Sequence, residues 1–564
     1  MTDSNWIYTV PGENAENLSR KMGLPAAFSQ ILVNRGIQTA ESAQTFLYGT
    51  LDNLLDPFQM NGMRESVERL RQAVEKKEKI LIFGDYDVDG ILSVVALTRA
   101  LESIGLEVSY FIPERLKKGY GIKEEYLDVV LERGATLVLS VDCGMRAVDF
   151  TRLAKSKGVD VIITDHHQPG PEIPEALAVL NPVLESSGYP EKRLAGIGVV
   201  FKLIQALFIT LGKESILPHY LKLVSIGTIS DVAELRGENR LIVKYGLKGL
   251  ENVANPGLSS LLGACGLRKR EINVGDVGFR IGPRINAAGR LGMTDLAVNL
   301  FFTQSDEEAG SLVKQLEKMN VTRQKIEARI YDQALNSINQ GRLNQKYSLL
   351  VLGCSEWHRG VIGIVASKLK DYFYRPVLLF AYEDGKAFGS GRSIPAFSLI
   401  ECLESNRAHF VNFGGHTHAV GCELLRDNMD AFKSGVNLYT QSILSEDVLT
   451  RKIKIDVRLD FKEINNSFLD HLSLLAPFGV GNPKPVLMTE NAEVAAPPKK
   501  LKGKHSKFLV RKDGQFFEAL CWGRADWADK VSQGDLINLA YTLQFNEYLG
   551  KRQLNLNIVD IKPV

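Results

Sequence analysis

The chain has 564 residues, of which 45% are hydrophobic and 24% charged, with 68 Lys and Arg against 66 Asp and Glu for a net charge of +2. A single hydrophobic core stops growing at about 250–300 residues, so one domain is excluded, and this balance of apolar and charged residues also excludes a disordered or fibrous chain. With so little net charge, any polyanion must be gripped by local clusters of basic residues.

Residues 1–60 alternate short helical patterns with Pro and Gly punctuation and carry no obvious chemistry. The opening MTDSNWIYTV has neither a basic leader nor an apolar signal segment, and no run of about 18 uninterrupted apolar residues occurs. The longest apolar stretch, 194–211, is broken by Lys202 and Gln205 and reads as a core helix. Six cysteines (Cys143, Cys265, Cys354, Cys402, Cys422, Cys521) form no CxxC pair, which argues against a disulfide framework, an iron–sulfur cluster or a cysteine-ligated zinc. A reducing, cytoplasmic location without membrane attachment is expected.

From Lys79 the pattern changes to short apolar runs separated by helical stretches: KILIF (79–83), TLVLSV (136–141) and DVIIT (160–164). Buried strands alternating with helices predict βαβ units around a parallel sheet. After Ser305, SDEE offers a capping box, and Leu312, Leu316, Met319, Ile326 and Ile330 follow at helical spacing. A helix of ~35 residues is roughly 50 Å long, enough to connect two bodies. YSLLVLG (347–353), RPVLLFAY (375–382) and the turn FGGHTHAVG (413–421) predict a second, smaller α/β domain. Beyond about residue 450 the runs KIKIDVRL, KFLV, FFEALCW, INLAYTLQF and LNLNIVDI predict a β-rich module. The expected division is an N-terminal helical segment (1–60), a parallel-sheet α/β domain (61–303), a connecting helix (304–345), a second α/β domain (346–447) and a β-rich C-terminal domain (448–564).

Three predicted strands end in acids or histidines: GDYDVDG (84–90), VDCG (141–144) and TDHHQP (164–169). In open α/β sheets the ligand crevice lies at the carboxyl ends of the strands, so Asp85, Asp87, Asp89, Asp142, Asp165, His166 and His167 should meet in one cleft. Singly, Asp85 or Asp142 would read as a helix N-cap and the His pair as surface. Three such clusters at successive strand ends are hard to obtain from capping alone. Crowded carboxylates repel one another unless cations neutralise them, and oxygen plus imidazole donors without thiolate suit Mn²⁺ or Mg²⁺. Two such ions predict phosphoester hydrolysis.

GDYDVDG, VDCG, Asp165–His166–His167 and GTISDVAEL (227–235) resemble the four motifs of the DHH phosphoesterase superfamily, and FGGHTHAVG with GSGRS (389–393) resembles its DHH-associated domain, DHHA1. NRGI (34–37), IGPRINAAGRL (281–291), WHRGVIGIVAS (357–367) and LAPFGVGNPKP (475–485) are similar to the RecJ family of bacterial single-strand-specific exonucleases. One departure is His418, where these families more often have a small residue or Met.

The resemblance implies a DHH catalytic domain, a DHHA1 domain, a C-terminal OB fold and exonuclease action on single-stranded DNA from the 5′ end, in recombination and repair. It implies two ions, Mn²⁺ or Mg²⁺, held by Asp87, Asp89, Asp142, His166 and Asp231, with Asp89 or Asp142 as the bridge and Asp85 and Asp165 as auxiliary groups. His167 matches the catalytic histidine, with Asp165 beside it. Substrate phosphates would be gripped by Arg115, Arg284, Asn286, Arg290, Arg392, Ser393 and His416. The implied partners are single-stranded DNA, a single-strand-binding protein and a RecQ-type helicase, and the chain is expected to act as a monomer. Rival readings are a DHH phosphodiesterase of small nucleotides or oligoribonucleotides, which would not need the OB-like module, and a non-catalytic relative, which should have lost motif acids that are all present here.

Residues 499–512 (KKLKGKHSKFLVRK) hold seven Lys and Arg and no acid, and Phe516, Phe517, Trp522, Tyr541, Phe545 and Tyr548 follow. A basic surface with exposed aromatics is what an OB fold uses to track a single strand.

Overall fold

The computed structural model describes residues 4–10, 12–113, 121–548 and 551–564, with side chains outside 546–552. Arg115 and the side chain of Tyr548 lie outside the described residues. The chain divides into two compact units, 55–233 with 242–450, and 1–54 with 234–241 and 451–564. The architecture is mixed α/β, as expected.

The first unit holds two sheets. One is fully parallel, in the spatial order Glu107–Phe111, Lys79–Gly84, Leu137–Val141, Asp160–Thr164, Ala178–Leu180. Its central strand Leu137–Val141 is buried at every position, as a strand covered on both faces must be. The helices Val88–Glu102 and Gly196–Thr210 pack together over the sheet. Gly196–Thr210 is the expected core helix: Lys202 is fully buried and its Nζ donates to the Leu55 carbonyl at 2.6 Å. No helix among the described residues is long and apolar enough to cross a membrane. All six cysteines are free thiols.

The long helix spans Asp306–Gly341. Ser305 Oγ accepts the Glu308 amide at 3.2 Å, but the Glu308 carboxylate turns to the Thr303 hydroxyl, so only half of the expected capping box forms. Its buried stripe begins with Ala309, Val313 and Leu316, continues through Asn320, Arg323 and Glu327, and ends with Ile330, Ala334 and Ile338. The first segment packs on helices of the parallel-sheet lobe and the last belongs to the core of the second lobe. There, five strands run in the order Phe410–His416, Ala419–Leu425, Lys386–Arg392, Val377–Glu383, Leu350–Cys354, with only the last pair parallel.

In the second unit, Leu487–Val494, Leu536–Tyr548, Lys551–Pro563, Gln515–Cys521 and His505–Lys512 pair in succession, and Leu487–Val494 pairs again with His505–Lys512. That last pairing closes a five-stranded barrel, the OB architecture. Phe28, Ile31, Leu32 and Leu47 of the N-terminal helices share one core with Val457, Leu475 and barrel residues such as Val510 and Tyr541. The loop containing 475–485 is pinned by two buried arginines: Arg240 donates to the Leu474 and Leu475 carbonyls at 2.8 and 2.7 Å, and Arg35 to the Pro483 carbonyl at 2.7 Å and Asn482 Oδ1 at 3.0 Å.

Candidate active site at the strand ends

The registered rows of the parallel sheet end side by side at Gly84, Val141, Thr164 and Leu180. One residue further on stand Asp85, Asp142, Asp165 and Asn181, so motifs far apart in sequence deliver their acids to one crevice, as the strand-end argument requires.

Asp87 caps the helix Val88–Glu102, its Oδ1 accepting the amides of Asp89 at 2.9 Å and Gly90 at 3.2 Å. The ordinary capping role and the site role therefore coexist in one carboxylate. Asp89, only 1% exposed, reaches a second helix: its two oxygens accept the amides of Gly196 and Ile197 at 2.8 Å each, at a terminus whose own N-cap, Ala195, makes no side-chain cap. Gly196 is required there, since a Cβ would fall 2.5 Å from Asp142 Oδ1. Asp231 is the C-cap of Leu221–Ser230. The next residue, Val232, has φ +64° and closes the helix through its amide to Ile229 O and the Ala233 amide to Thr228 O. Glycine usually occupies that left-handed position, and for a β-branched residue it is strained.

The electrostatics are those of a site built for cations. Burial, then the charge of Asp87, pushes the Asp89 carboxyl up to about 7. Burial also raises Asp142 well above the usual carboxylate range, followed by the charges of Asp89, Asp87, Asp85 and Asp231, and Asp231 is raised by burial and by Asp89 and Asp87. His166 is pushed down to about 4, by burial first and then by the charge of His167, so its imidazole is neutral, the form that ligates metal. His166 Nε2 lies 3.1 Å from Asp142 Oδ1, yet both are buried atoms without a hydrogen-bond partner. Two lone pairs aimed at the same point without a proton between them fit a bound cation. Three triplets of donor atoms lie within 4.8 Å of one another: Asp85–Asp87–Asp142, Asp89–His166–Asp231 and Asp142–His166–His167. Asp142 shares the first triplet with Asp85 and Asp87 and another with His166 and His167, so its carboxylate touches both groups of donors. Asp89 enters one triplet only.

Asp165 behaves differently. Its Oδ1 accepts the His166 and His167 amides at 2.7 and 3.0 Å and lies 2.7 Å from His167 Nδ1, while Oδ2 accepts the Met145 amide at 2.9 Å. Burial would raise its carboxyl, but the bond to His167 and the charges of both histidines hold it below the usual range. The same bond raises His167 against the opposing effect of burial. Asp165 is thus a positioning group that fixes His167, and Asn181 Nδ2 fixes the same residue from its carbonyl at 2.9 Å.

The expected phosphate-gripping residues divide. Arg284 is engaged within its own lobe by Glu317 and by the Arg280 carbonyl at 2.7 Å. Asn286 Oδ1 accepts the Val88 amide at 3.2 Å and so braces the motif loop. Ser393 is buried and donates to the Phe397 carbonyl at 2.7 Å. These three hold the scaffold. Arg290 donates to the Gly360 carbonyl of the second lobe at 2.7 Å, and Arg392 Nη1 lies 3.3 Å from Ser390 Oγ. A Cβ on Gly363, in the first turn of Ile362–Phe373, would meet Ser390 Oγ at 2.8 Å and Arg392 Nη2 at 3.3 Å. Ser390, two residues from Arg392 on the same strand, is the hydroxyl beside the arginine, and the period-two alternation of GSGRS could have found it. His416 ends the edge strand, near enough to His167 for that charge to lower its proton affinity, after desolvation. The His418 carbonyl accepts the Ser393 amide at 2.9 Å.

Known proteins share this arrangement. Residues 79–228 match the DHH family N-terminal domain, 346–442 the DHHA1 domain and 455–560 the RecJ OB domain. The single-stranded-DNA-specific exonuclease RecJ of Bacillus subtilis (strain 168) is 36% identical over 559 residues, 98% of this chain and 70% of that protein. The crystal structure of RecJ in complex with Mn²⁺ from Thermus thermophilus superposes with a TM-score of 0.87 at 30% identity, covering 100% of this chain and 80% of that one. The same protein in complex with Mg²⁺ gives 0.79 at 29% identity over 100% and 79%. With three domain matches in the order of its own architecture and near full-length identity above 30%, the chain belongs to the RecJ family of DHH proteins.

Proposed function

We propose that this protein is a metal-dependent exonuclease that hydrolyses phosphodiester bonds of single-stranded DNA from the 5′ end, in recombination and repair, with two Mn²⁺ or Mg²⁺ ions as cofactors. The observation that carries this reading is the orphaned pair Asp142 Oδ1 and His166 Nε2, facing each other at 3.1 Å within the buried carboxylate cluster. Asp85, Asp87 and Asp142 would hold one ion and Asp89, His166 and Asp231 the other, with Asp142 shared. Bound there, the ions supply Lewis-acid polarisation of a phosphoryl oxygen and make hydroxide available near neutral pH. His167 keeps its Nδ1 proton toward Asp165, which leaves Nε2 to exchange a proton with the departing oxygen.

Polarity is supported by the group around Arg392 and Ser390 at the start of Ile362–Phe373, whose N-cap Val361 makes no side-chain cap. A guanidinium and a hydroxyl at a helix start suit a terminal phosphate, which in DNA is ordinarily the 5′ end. The barrel supports a single-stranded substrate: Phe516, Trp522 and Phe545 are 52%, 54% and 42% exposed, whereas Phe517 and Tyr541 belong to the core. The protein would act as a monomer that meets a single-strand-binding protein and a RecQ-type helicase on its substrate.

The test is incubation of end-labelled single-stranded DNA, duplex DNA and RNA with Mn²⁺ or with EDTA. Mononucleotides should appear from the 5′ end of single-stranded DNA only, and not in EDTA. Release from the 3′ end, or cleavage restricted to dinucleotides, would overturn the reading.

A further inference from the structure

Arg146 lies four residues beyond Asp142 in VDCGMR. Its backbone is anchored to the catalytic pair, because the preceding Met145 amide donates to Asp165 Oδ2 at 2.9 Å and the other oxygen of that carboxylate lies 2.7 Å from His167 Nδ1. Its side chain is exposed, and among the described residues no carboxylate stands within ion-pair distance of it. The side chain passes Gly170, where a Cβ would lie 3.9 Å from Arg146 Cγ, and extends toward the second lobe, where a Cβ on Gly414 would lie 3.7 Å from Nη1.

Gly414 belongs to Phe410–His416, the edge strand of the second sheet, so one side of its backbone has no neighbour in that sheet. The charge of Arg146 is also felt at His416, the last residue of the strand, which is in turn sensitive to His167. Arg146 therefore sets a guanidinium beside the bare glycine backbone of an edge strand that ends at His416. A guanidinium fork matches the oxygens of a phosphate. Arg146, Gly414 and His416 belong to none of the three donor triplets, so this guanidinium stands to one side of the reacting centre.

We propose that Arg146 binds the backbone phosphate next to the scissile one, with the edge strand through Gly414 to His416 packed beside its guanidinium. This deepens the exonuclease reading and rests on it. It makes Arg146 a positioning residue: it sets where the strand sits beyond the bond being cut, so that a substrate with a second phosphate is held better than one without.

The experiment compares the wild type, Arg146→Gln and Arg146→Lys in Mn²⁺, following release of the first nucleotide from 5′-phosphorylated oligothymidylate. The same oligomer is also made with one neutral methylphosphonate at the linkage adjacent to the scissile bond or several linkages away. Arg146→Gln should raise KM roughly tenfold with a smaller change in kcat, and Arg146→Lys should recover part of the loss. The adjacent methylphosphonate should cost the wild type a similar factor and Arg146→Gln little more, while the distant one should affect both proteins equally. Multiplicative losses from the two changes, an unaltered KM, or a loss confined to kcat would each overturn the assignment. A wild type that releases no nucleotide from the unmodified strand would instead overturn the exonuclease reading itself.

Discussion

The strand-end cluster and the basic strand of the barrel are both dense in charge, and they handle it in opposite ways. At the strand ends Asp89, Asp142 and Asp231 are raised by burial and mutual repulsion, and Asp142 Oδ1 has no hydrogen-bond partner. On the barrel, Lys500 pairs with Asp529 at 2.7 Å, Lys507 with Glu518 at 2.5 Å, Arg511 with Glu493 at 2.6 Å and Lys512 with Asp460 at 2.6 Å. The acids paired with this run come from neighbouring strands and loops, not from the run itself. Charge buried without a partner marks chemistry, whereas a run of one sign in sequence can be neutralised by the fold.

The largest effect that would break this contrast is expected from Asp142→Ala. Loss of this carboxylate, which both groups of donors share, should lower kcat/KM by about three orders of magnitude or more. In EDTA the variant should unfold cooperatively and be at least as stable as the wild type, because it removes a carboxylate that four others repel. Thermal unfolding with and without Mn²⁺, together with the nuclease assay, checks both halves. A variant destabilised in EDTA would show that the cluster is structural.

His167→Ala should slow the chemical step by roughly 10²–10⁴ while Mn²⁺ still binds, and His166→Ala should weaken Mn²⁺ binding itself. The two side chains differ in environment: one is tied to Asp165 and raised, the other is unpaired at Nε2 and pushed down to about 4. Calorimetric titration separates them, and equal losses of affinity would erase the distinction.

A pH dependence follows from Asp89. Its carboxyl rises from an ordinary 3.8 to about 7 in the folded protein, so between these values the folded state keeps a proton that the unfolded state has lost. Without metal, that contribution to stability falls as pH rises from about 4 to about 7. The difference in unfolding free energy between wild type and Asp89→Asn, measured in EDTA, should decline through this window and level off above it. Saturating Mn²⁺ should remove the decline, since a cation favours the charged form.

The smallest effect belongs to the barrel lysines. Lys499, Lys502 and Lys504 have no ion pair among the described residues, in contrast to Lys500 and Lys507. Replacing Lys502 and Lys504 by Ala should reduce the slope of log K against log salt on a long single strand by about 0.7 each, and replacing Lys500 and Lys507 by much less. Equal changes from the two pairs would mean that DNA displaces Asp529 and Glu518 from their lysines.

The sequence by itself determined the elements whose signals are local. Five-residue apolar runs made the parallel strands, and the acid after each run placed Asp85, Asp142 and Asp165 at the crevice, because a strand's end and its next residue are read from immediate neighbours. Ser305 marked the start of the long helix for the same reason. Tertiary structure alone decided the rest. Asp231 ends a helix, not a strand, and joins the cluster only because that helix packs beside Val88–Glu102. Asp142 came to belong to two donor triplets while Asp89 was drawn to amides 107 and 108 residues away. Arg284 was taken by Glu317 and Ser393 by Phe397, the barrel lysines found acids on other segments, and the N-terminal helices joined the C-terminal core. Periodicity and capping depend on residues a few positions apart, but burial, ion pairing and the sharing of a carboxylate depend on which distant segments the folded chain brings within a few ångströms.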